Sequence, residues 1–163
     1  MMGYVKMYYL AGILLVVAWL LFFLRFHDAA IQPLFYAGWA VLAAGLGLII
    51  LPLLVLRAQG RPAEGKDIAQ TTTLVTGGIY AVVRHPLYLG WLLMYVAVML
   101  FSQHWLVLIL GTVGMASMVQ ISRQEDRRLV ERFGSAYKEY VAAVPALNLL
   151  AGVLRLLRRG DNK

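Results

Sequence analysis

The chain has no cysteine among its 163 residues. Disulfide frameworks, zinc–thiolate sites, iron–sulfur clusters and cysteine nucleophiles are therefore excluded, and no metal site is expected. Charge is scarce too: 14% of residues are Asp, Glu, Lys or Arg, against about a quarter in an average soluble domain. Acids are rarest, 8 in all, and none falls inside the long apolar stretches. Proton-coupled pumps and exporters rely on an intramembrane carboxylate, so that class is set aside. What fills the chain instead is apolar, 61% of residues with a mean hydropathy of +0.73. Intrinsic disorder needs the opposite composition.

The net charge is +7, a balance that suits either nucleic acid or a membrane surface. The apolar runs decide for the membrane, and no nucleic-acid partner is expected. Met7–Leu24 offers 18 uncharged residues and Pro33–Leu56 offers 24. Each is long enough to cross about 30 Å of hydrocarbon at about 1.5 Å per helical residue. Pro86–Val119 adds 34 more. As a single helix it would measure about 51 Å, so the polar patch Ser102-Gln103-His104 is expected to fold it into a hairpin. The first stretch reads as a retained helix rather than a signal peptide, because Arg25-Phe26-His27-Asp28 follows it in place of a small-residue cleavage site.

The fold class expected is an all-α integral membrane protein. About four transmembrane helices, the last two a hairpin, are followed by cytoplasmic amphipathic helices. One membrane domain, 1–163, is divided into two N-terminal spans (1–56), a cytoplasmic loop (57–85), the hairpin (86–119) and C-terminal helices (120–163). Four crossings would leave only Arg25 of the 15 basic residues on one face. Cytoplasmic loops attract Lys and Arg, so both termini are expected in the cytoplasm.

Finer expectations follow from local pattern. Tyr8, Tyr9, Tyr36, Trp39, Trp91 and Trp105 fall near span ends, where amphipathic rings favour the interface. Ala40/Ala44 and Ala43/Gly47 offer small-residue contacts between helices, and Pro52 is placed to bend the second. Thr71–Val75 is β-branched and reads as extended, with a turn at Gly77-Gly78. Leu129, Phe133, Tyr137 and Tyr140 recur at helical spacing. Gly134 is expected to end one helix and Ser135 to cap the next. The amphipathic tail Leu147–Arg159 is expected to lie on anionic lipid.

Ionisable groups gather at two edges, Arg84-His85-Pro86-Leu87-Tyr88 and Glu125-Asp126. Pro86 suits the first position of a helix and leaves His85 at the cap. The free N–H groups of such a helix start attract a carboxylate or phosphate. A carboxylate such as Glu125 accepts both hydroxyls of a ribose. Headgroup anchoring explains the first edge equally, and surface salt bridges the second. Their placement on one side favours a nucleoside-type cofactor carrying a carboxylate.

Leu74-Val75-Thr76-Gly77-Gly78-Ile79-Tyr80 and Arg84-His85-Pro86-Leu87-Tyr88-Leu89-Gly90 form one block. Glu125-Asp126, Leu129, Phe133-Gly134, Tyr137, Tyr140 and Val144-Pro145 form a second. Together, over roughly residues 70–146, they resemble the isoprenylcysteine carboxyl methyltransferase and phospholipid methyltransferase group. The resemblance implies a membrane-embedded methyltransferase that uses S-adenosylmethionine and acts on a lipophilic or small apolar acceptor. Carried over by motif position, Thr72, Thr73, Leu74, Val75, Tyr80, His85, Pro86, Leu87, Tyr88 and Glu125 would line the cofactor site. Asp126 stands where a second glutamate is usual. Prenylcysteine-type members carry an arginine four residues before the matching acid; this chain has Ile121 there, which argues against a prenylcysteine carboxylate. No catalytic residue is assigned. The remaining readings are a small-thiol S-methyltransferase, an NADPH-dependent sterol-type reductase and a non-catalytic membrane protein. The oligomeric state is not legible.

Overall fold

The computed structural model describes residues 2–27, 29–60 and 72–160. The expected loop at 61–70 and Thr71 lie outside the described residues. The helices are α1 (Met2–Leu24), α2 (Gln32–Gln59), α3 (Pro86–Ser102), α4 (Trp105–Phe133), α5 (Ser135–Ala143) and α6 (Leu149–Gly160), with one 3-10 turn at Gly78–Ala81. No strand occurs among the described residues. Three of them, α1, α2 and α4, are long and apolar enough to cross a membrane. The 17-residue α3 is apolar but shorter, about 26 Å along its axis. The hairpin turns at Gln103-His104, within the polar patch.

The chain forms two compact units, one of residues up to Gly47 with Tyr88–Gln124, the other of Leu48–Leu87 with the residues from Glu125 onward. In the first, α1 is apolar from Met7 to Leu24, and its buried positions among the described residues are Ala11, Leu15, Ala18 and Phe22. These recur every three to four residues and so make one stripe, while Ile13, Val16, Leu20 and Phe23 stay exposed, as a lipid-facing surface requires. Phe101 of α3 gathers the rings of Trp19, Phe22, Phe35 and Trp39 at centroid distances of 5.1 to 5.9 Å.

Helix contacts use different small residues from those expected. Ala40, Ala43 and Ala44 are exposed, and a Cβ on Gly47 would meet nothing. Close approach falls instead at Gly38, which lies under the Phe101 ring, and at Gly45, where a Cβ would sit 3.2 Å from the Gly90 carbonyl oxygen. The seven-residue step keeps these two on one face of α2. Gly114 of α4 makes room for Tyr95, whose hydroxyl donates to the Ala11 carbonyl. The two connections at the same end of this unit are pinned together. Gln103 Nε2 donates to the Ile31 carbonyl and its Oε1 accepts the Ile31 N–H, both at 2.8 Å.

In the second unit, Gly78 takes φ 59° and opens the 3-10 turn, in keeping with the expected bend at Gly77-Gly78. Residues 72–76 are irregular and pair with no strand among the described residues. Pro86 is the first residue of α3, as its ring and missing N–H favour. The apolar part of α4 does not end the helix. It runs unbroken to Phe133, so Glu125 and Asp126 sit on a helix interior rather than on a connection. Gly134, at φ 61°, stops α4 and also serves as the residue ahead of α5. Ser135 is therefore the first residue of α5, not its cap, and no side-chain cap bond forms there. The tail helix α6 starts after Asn148, whose Oδ1 accepts the Ala151 N–H at 2.9 Å. It leaves Leu150, Val153, Leu154 and Leu157 exposed, while Gly152 lies against the Val82 backbone and Arg155 donates to the Ala81 carbonyl.

Because a methyl group at Gly114 would collide with the Tyr95 ring, Gly114→Ala is expected to destabilise the first unit by about 2 kcal/mol. Thermal denaturation in a non-ionic detergent reads this as a lowered Tm, while Gly47→Ala, at an open position, leaves it unchanged.

Candidate cofactor site

The second unit assembles its polar residues around one carboxylate. Asp126, on α4, accepts three hydrogen bonds. His85 Nε2 donates to Oδ1 at 2.8 Å, Tyr137 Oη to the same oxygen at 2.6 Å, and Arg84 Nη2 to Oδ2 at 3.0 Å. His85 is only 4% exposed. An ionised carboxylate accepts and does not donate, which fixes the proton of the neutral imidazole on Nε2. The Arg84 guanidinium also reaches the end of α5, donating to the carbonyl of Val141 at 2.9 Å and to that of Val144. Carbonyls at a helix C-terminus lack intrahelical partners and favour a cation.

Backbone bonds reinforce this clasp. The Arg84 N–H donates to Pro145 O at 2.9 Å and the His85 N–H to Ala146 O at 3.0 Å. Tyr137, Tyr140 and Val144 form a buried cluster with Leu74, Leu129, Val130 and Phe133 packed against it. Tyr140 Oη donates to the Tyr80 carbonyl at 2.6 Å, which ties the 3-10 turn to α5. Burial pushes the phenols of Tyr80, Tyr137 and Tyr140 well above the usual tyrosine range, and the Asp126 carboxylate adds to the rise at Tyr137. All three stay protonated donors at neutral pH.

The residues expected to line a cofactor site are distributed unevenly. Thr72 and Thr73 are exposed; the Thr72 N–H donates to Gly60 O at 3.1 Å and Thr73 Oγ1 to Gln59 O at 3.0 Å. Leu74 is half-buried against the tyrosine cluster, and Val75 and Tyr80 are buried. His85 and Pro86 are buried at the start of α3, Leu87 is half-buried beside them, and Glu125 is half-buried next to Asp126. Tyr88 opens the other unit. Arg84, Asp126 and Tyr137 are the members that motif reading left without a binding or clasping role. Their signal was present in the Arg-His pair ahead of Pro86 and in a second acid beside Glu125.

The donor set fits S-adenosylmethionine, whose ribose presents two adjacent hydroxyls and whose amino-acid end is a zwitterion. Asp126 has three of its roughly four acceptor positions filled, so it is committed to structure. Glu125 is the neighbouring carboxylate suited to ribose hydroxyls. The first turn of α3 supplies N–H groups suited to a carboxylate.

A family model described as phospholipid methyltransferase matches residues 33–136. An all-helical chain with several apolar spans and an acid–histidine–arginine clasp defines the class, a multi-pass integral membrane protein with a polar site in its non-apolar part. The chain belongs to the phospholipid methyltransferase family, which groups with the isoprenylcysteine-methyltransferase-like membrane enzymes. It is accordingly a methyltransferase that uses S-adenosylmethionine as methyl donor and a lipid as acceptor. Neither a curated protein nor a solved structure is significantly similar to the chain.

Two outcomes test the clasp. Asp126→Asn leaves the Arg84 guanidinium, 9% exposed, without its counter-charge and should cost about 2 kcal/mol in unfolding experiments. The raised tyrosine values carry a pH signature. The unfolded tyrosines titrate near 10.0, so the contribution is fully present below that pH and is lost as pH rises through it toward the higher folded values. The Tm should hold steady to about pH 9 and fall above about pH 10, and Tyr137→Phe should make that fall shallower.

Proposed function

We propose that the chain methylates the amine of a phospholipid headgroup, with S-adenosylmethionine held in the second unit by Glu125, the first turn of α3 and the 72–80 segment. The single observation that supports this reading is the Asp126 clasp. It fixes His85, and with it the start of α3, beside the acid pair of α4 within the family-matched residues. Thr72, Thr73, Leu74, Val75 and Tyr80 would line the adenosine side, and His85, Pro86 and Leu87 the amino-acid side. Ile121, 0% exposed, stands where a carboxylate-binding arginine would be needed, which favours an amine over a prenylcysteine carboxylate.

The cofactor supplies an already activated methyl group on a sulfonium, so the protein contributes position and exclusion of water. Glu125 orients through the ribose. Asp126, with three donors on it, keeps His85 and Arg84 from turning toward the reacting atoms. The buried tyrosine cluster packs against Leu74 of the 72–80 segment and keeps that side chain from water. We further propose that both termini and this second unit face the cytoplasm, since 14 of the 15 Lys and Arg residues then lie on that side.

Purified chain reconstituted in phosphatidylethanolamine vesicles should transfer labelled methyl from S-adenosylmethionine to the lipid amine. Glu125→Gln should weaken cofactor binding about tenfold without lowering the ligand-free Tm. A Tm raised by NADPH and not by S-adenosylmethionine would instead indicate a sterol-type reductase. Label found only in a small thiol would reject the lipid amine.

A further inference from the structure

The first unit holds a second polar site, built where its two connections meet. α1 ends at Leu24, with the N–H groups of Arg25 and Phe26 both donating to Leu21 O at 3.0 Å. On the facing connection Gln103 adopts φ 49°, a left-handed backbone that is uncommon for any residue but glycine. Three bonds hold it there: the two to Ile31, and Nε2 to Leu100 O at 3.1 Å. Beside this lock, His104 stacks on Phe26 with ring centroids 3.6 Å apart and planes 8° from parallel. Strained backbone kept in place by several bonds marks positions where geometry is specified rather than incidental.

Beside the two locks lies an open-mouthed cavity of about 180 Å3 lined by Arg25, Phe26, Ala30, Ser102, Gln103 and His104. Ser102 is 4% exposed, and its Oγ has no hydrogen-bond partner among the described residues. A serine in the last turn of a helix ordinarily bonds a carbonyl one turn back, so a buried hydroxyl without that bond invites a ligand. His104 Nδ1 accepts the Leu106 N–H at 3.2 Å, which leaves the neutral ring with its proton on Nε2 as a donor. Arg25 adds a permanent positive charge, and no acid is among the described lining residues. Hydroxyl, imidazole N–H and guanidinium together match a tetrahedral oxyanion, and the cavity exceeds several times the ~30 Å3 share of a water molecule. Arg25 directly follows the apolar span of α1, the depth at which lipid headgroups lie.

We propose that this pocket binds a phosphate oxyanion, supplied by the headgroup of a membrane phospholipid. It is a site distinct from the Asp126 clasp and independent of the methyl-transfer reading. Its ligand is a structural lipid held by Arg25, Ser102 and His104.

The test is a Tm titration of the full chain in a non-ionic detergent with three probes: dihexanoyl phosphatidylglycerol, dihexanoylglycerol without phosphate, and inorganic phosphate. The phosphate-bearing lipid should raise the Tm saturably and dihexanoylglycerol should not. Arg25→Gln should weaken the apparent affinity about tenfold. Ser102→Ala should weaken it roughly fivefold while leaving the ligand-free Tm equal or higher, because it removes an unsatisfied buried hydroxyl. The shift given by S-adenosylmethionine should persist in both variants, which separates failure here from failure of the catalytic reading. Equal stabilisation by dihexanoylglycerol, or wild-type affinity in both variants, would overturn the site. Inorganic phosphate binding as tightly as the lipid would overturn the lipid source.

Discussion

One carboxylate with three donors on it organises the second unit. Asp126 holds Arg84 and His85 from the segment that leads into α3, and Tyr137 from α5, so that three separate stretches of chain share a single acceptor group. Burying an arginine and a histidine in a largely apolar protein is costly unless each finds a partner. Here the geometry supplies one, and the remaining guanidinium bonds go to carbonyls at the end of α5 that a helix cannot satisfy itself. The position of Glu125 follows, because it immediately precedes Asp126 on the same helix.

The first unit obeys a different constraint. Apolar side chains gain nothing by meeting one another rather than lipid, so packing there rests on close approach and on matched polar groups. Gly38, Gly45 and Gly114 admit Phe101, the α3 backbone and Tyr95, and the Tyr95 hydroxyl and the Gln103 amide find backbone partners. The outward rows of α1 remain exposed and apolar, as contact with hydrocarbon demands.

Much of this was legible in the chain itself. Uncharged runs of fixed length marked the helices, Ser102-Gln103-His104 marked the turn, and Pro86 marked the start of α3, because each rests on local chemistry. Two details depended on partners distant in sequence and were not legible. The small residues of α2 that meet a neighbour are Gly38 and Gly45 rather than the alanines, since spacing alone does not say which face is covered. Asp126 looked like a substitution beside the cofactor acid; only its three bonds reveal it as the structural member of the pair. The end of the third apolar run, at Val119, did not end α4, because helix propensity continues through Arg, Glu and Leu after hydrophobicity stops.

Membership of the phospholipid methyltransferase family gives the reaction its class, and the proposed cofactor site is set beside the Asp126 clasp. The exposed apolar row of α6, a helix whose Arg155 and Gly152 meet residues 81–82, places a lipid-compatible surface on the segment that leads to His85. Amide hydrogen exchange of the full chain with and without S-adenosylmethionine addresses the central claim most directly. The account predicts that the cofactor slows exchange jointly in the non-helical segment 72–85 and in the turn of α4 around Glu125. Protection of only one of the two, or of neither while the cofactor is bound, would contradict it.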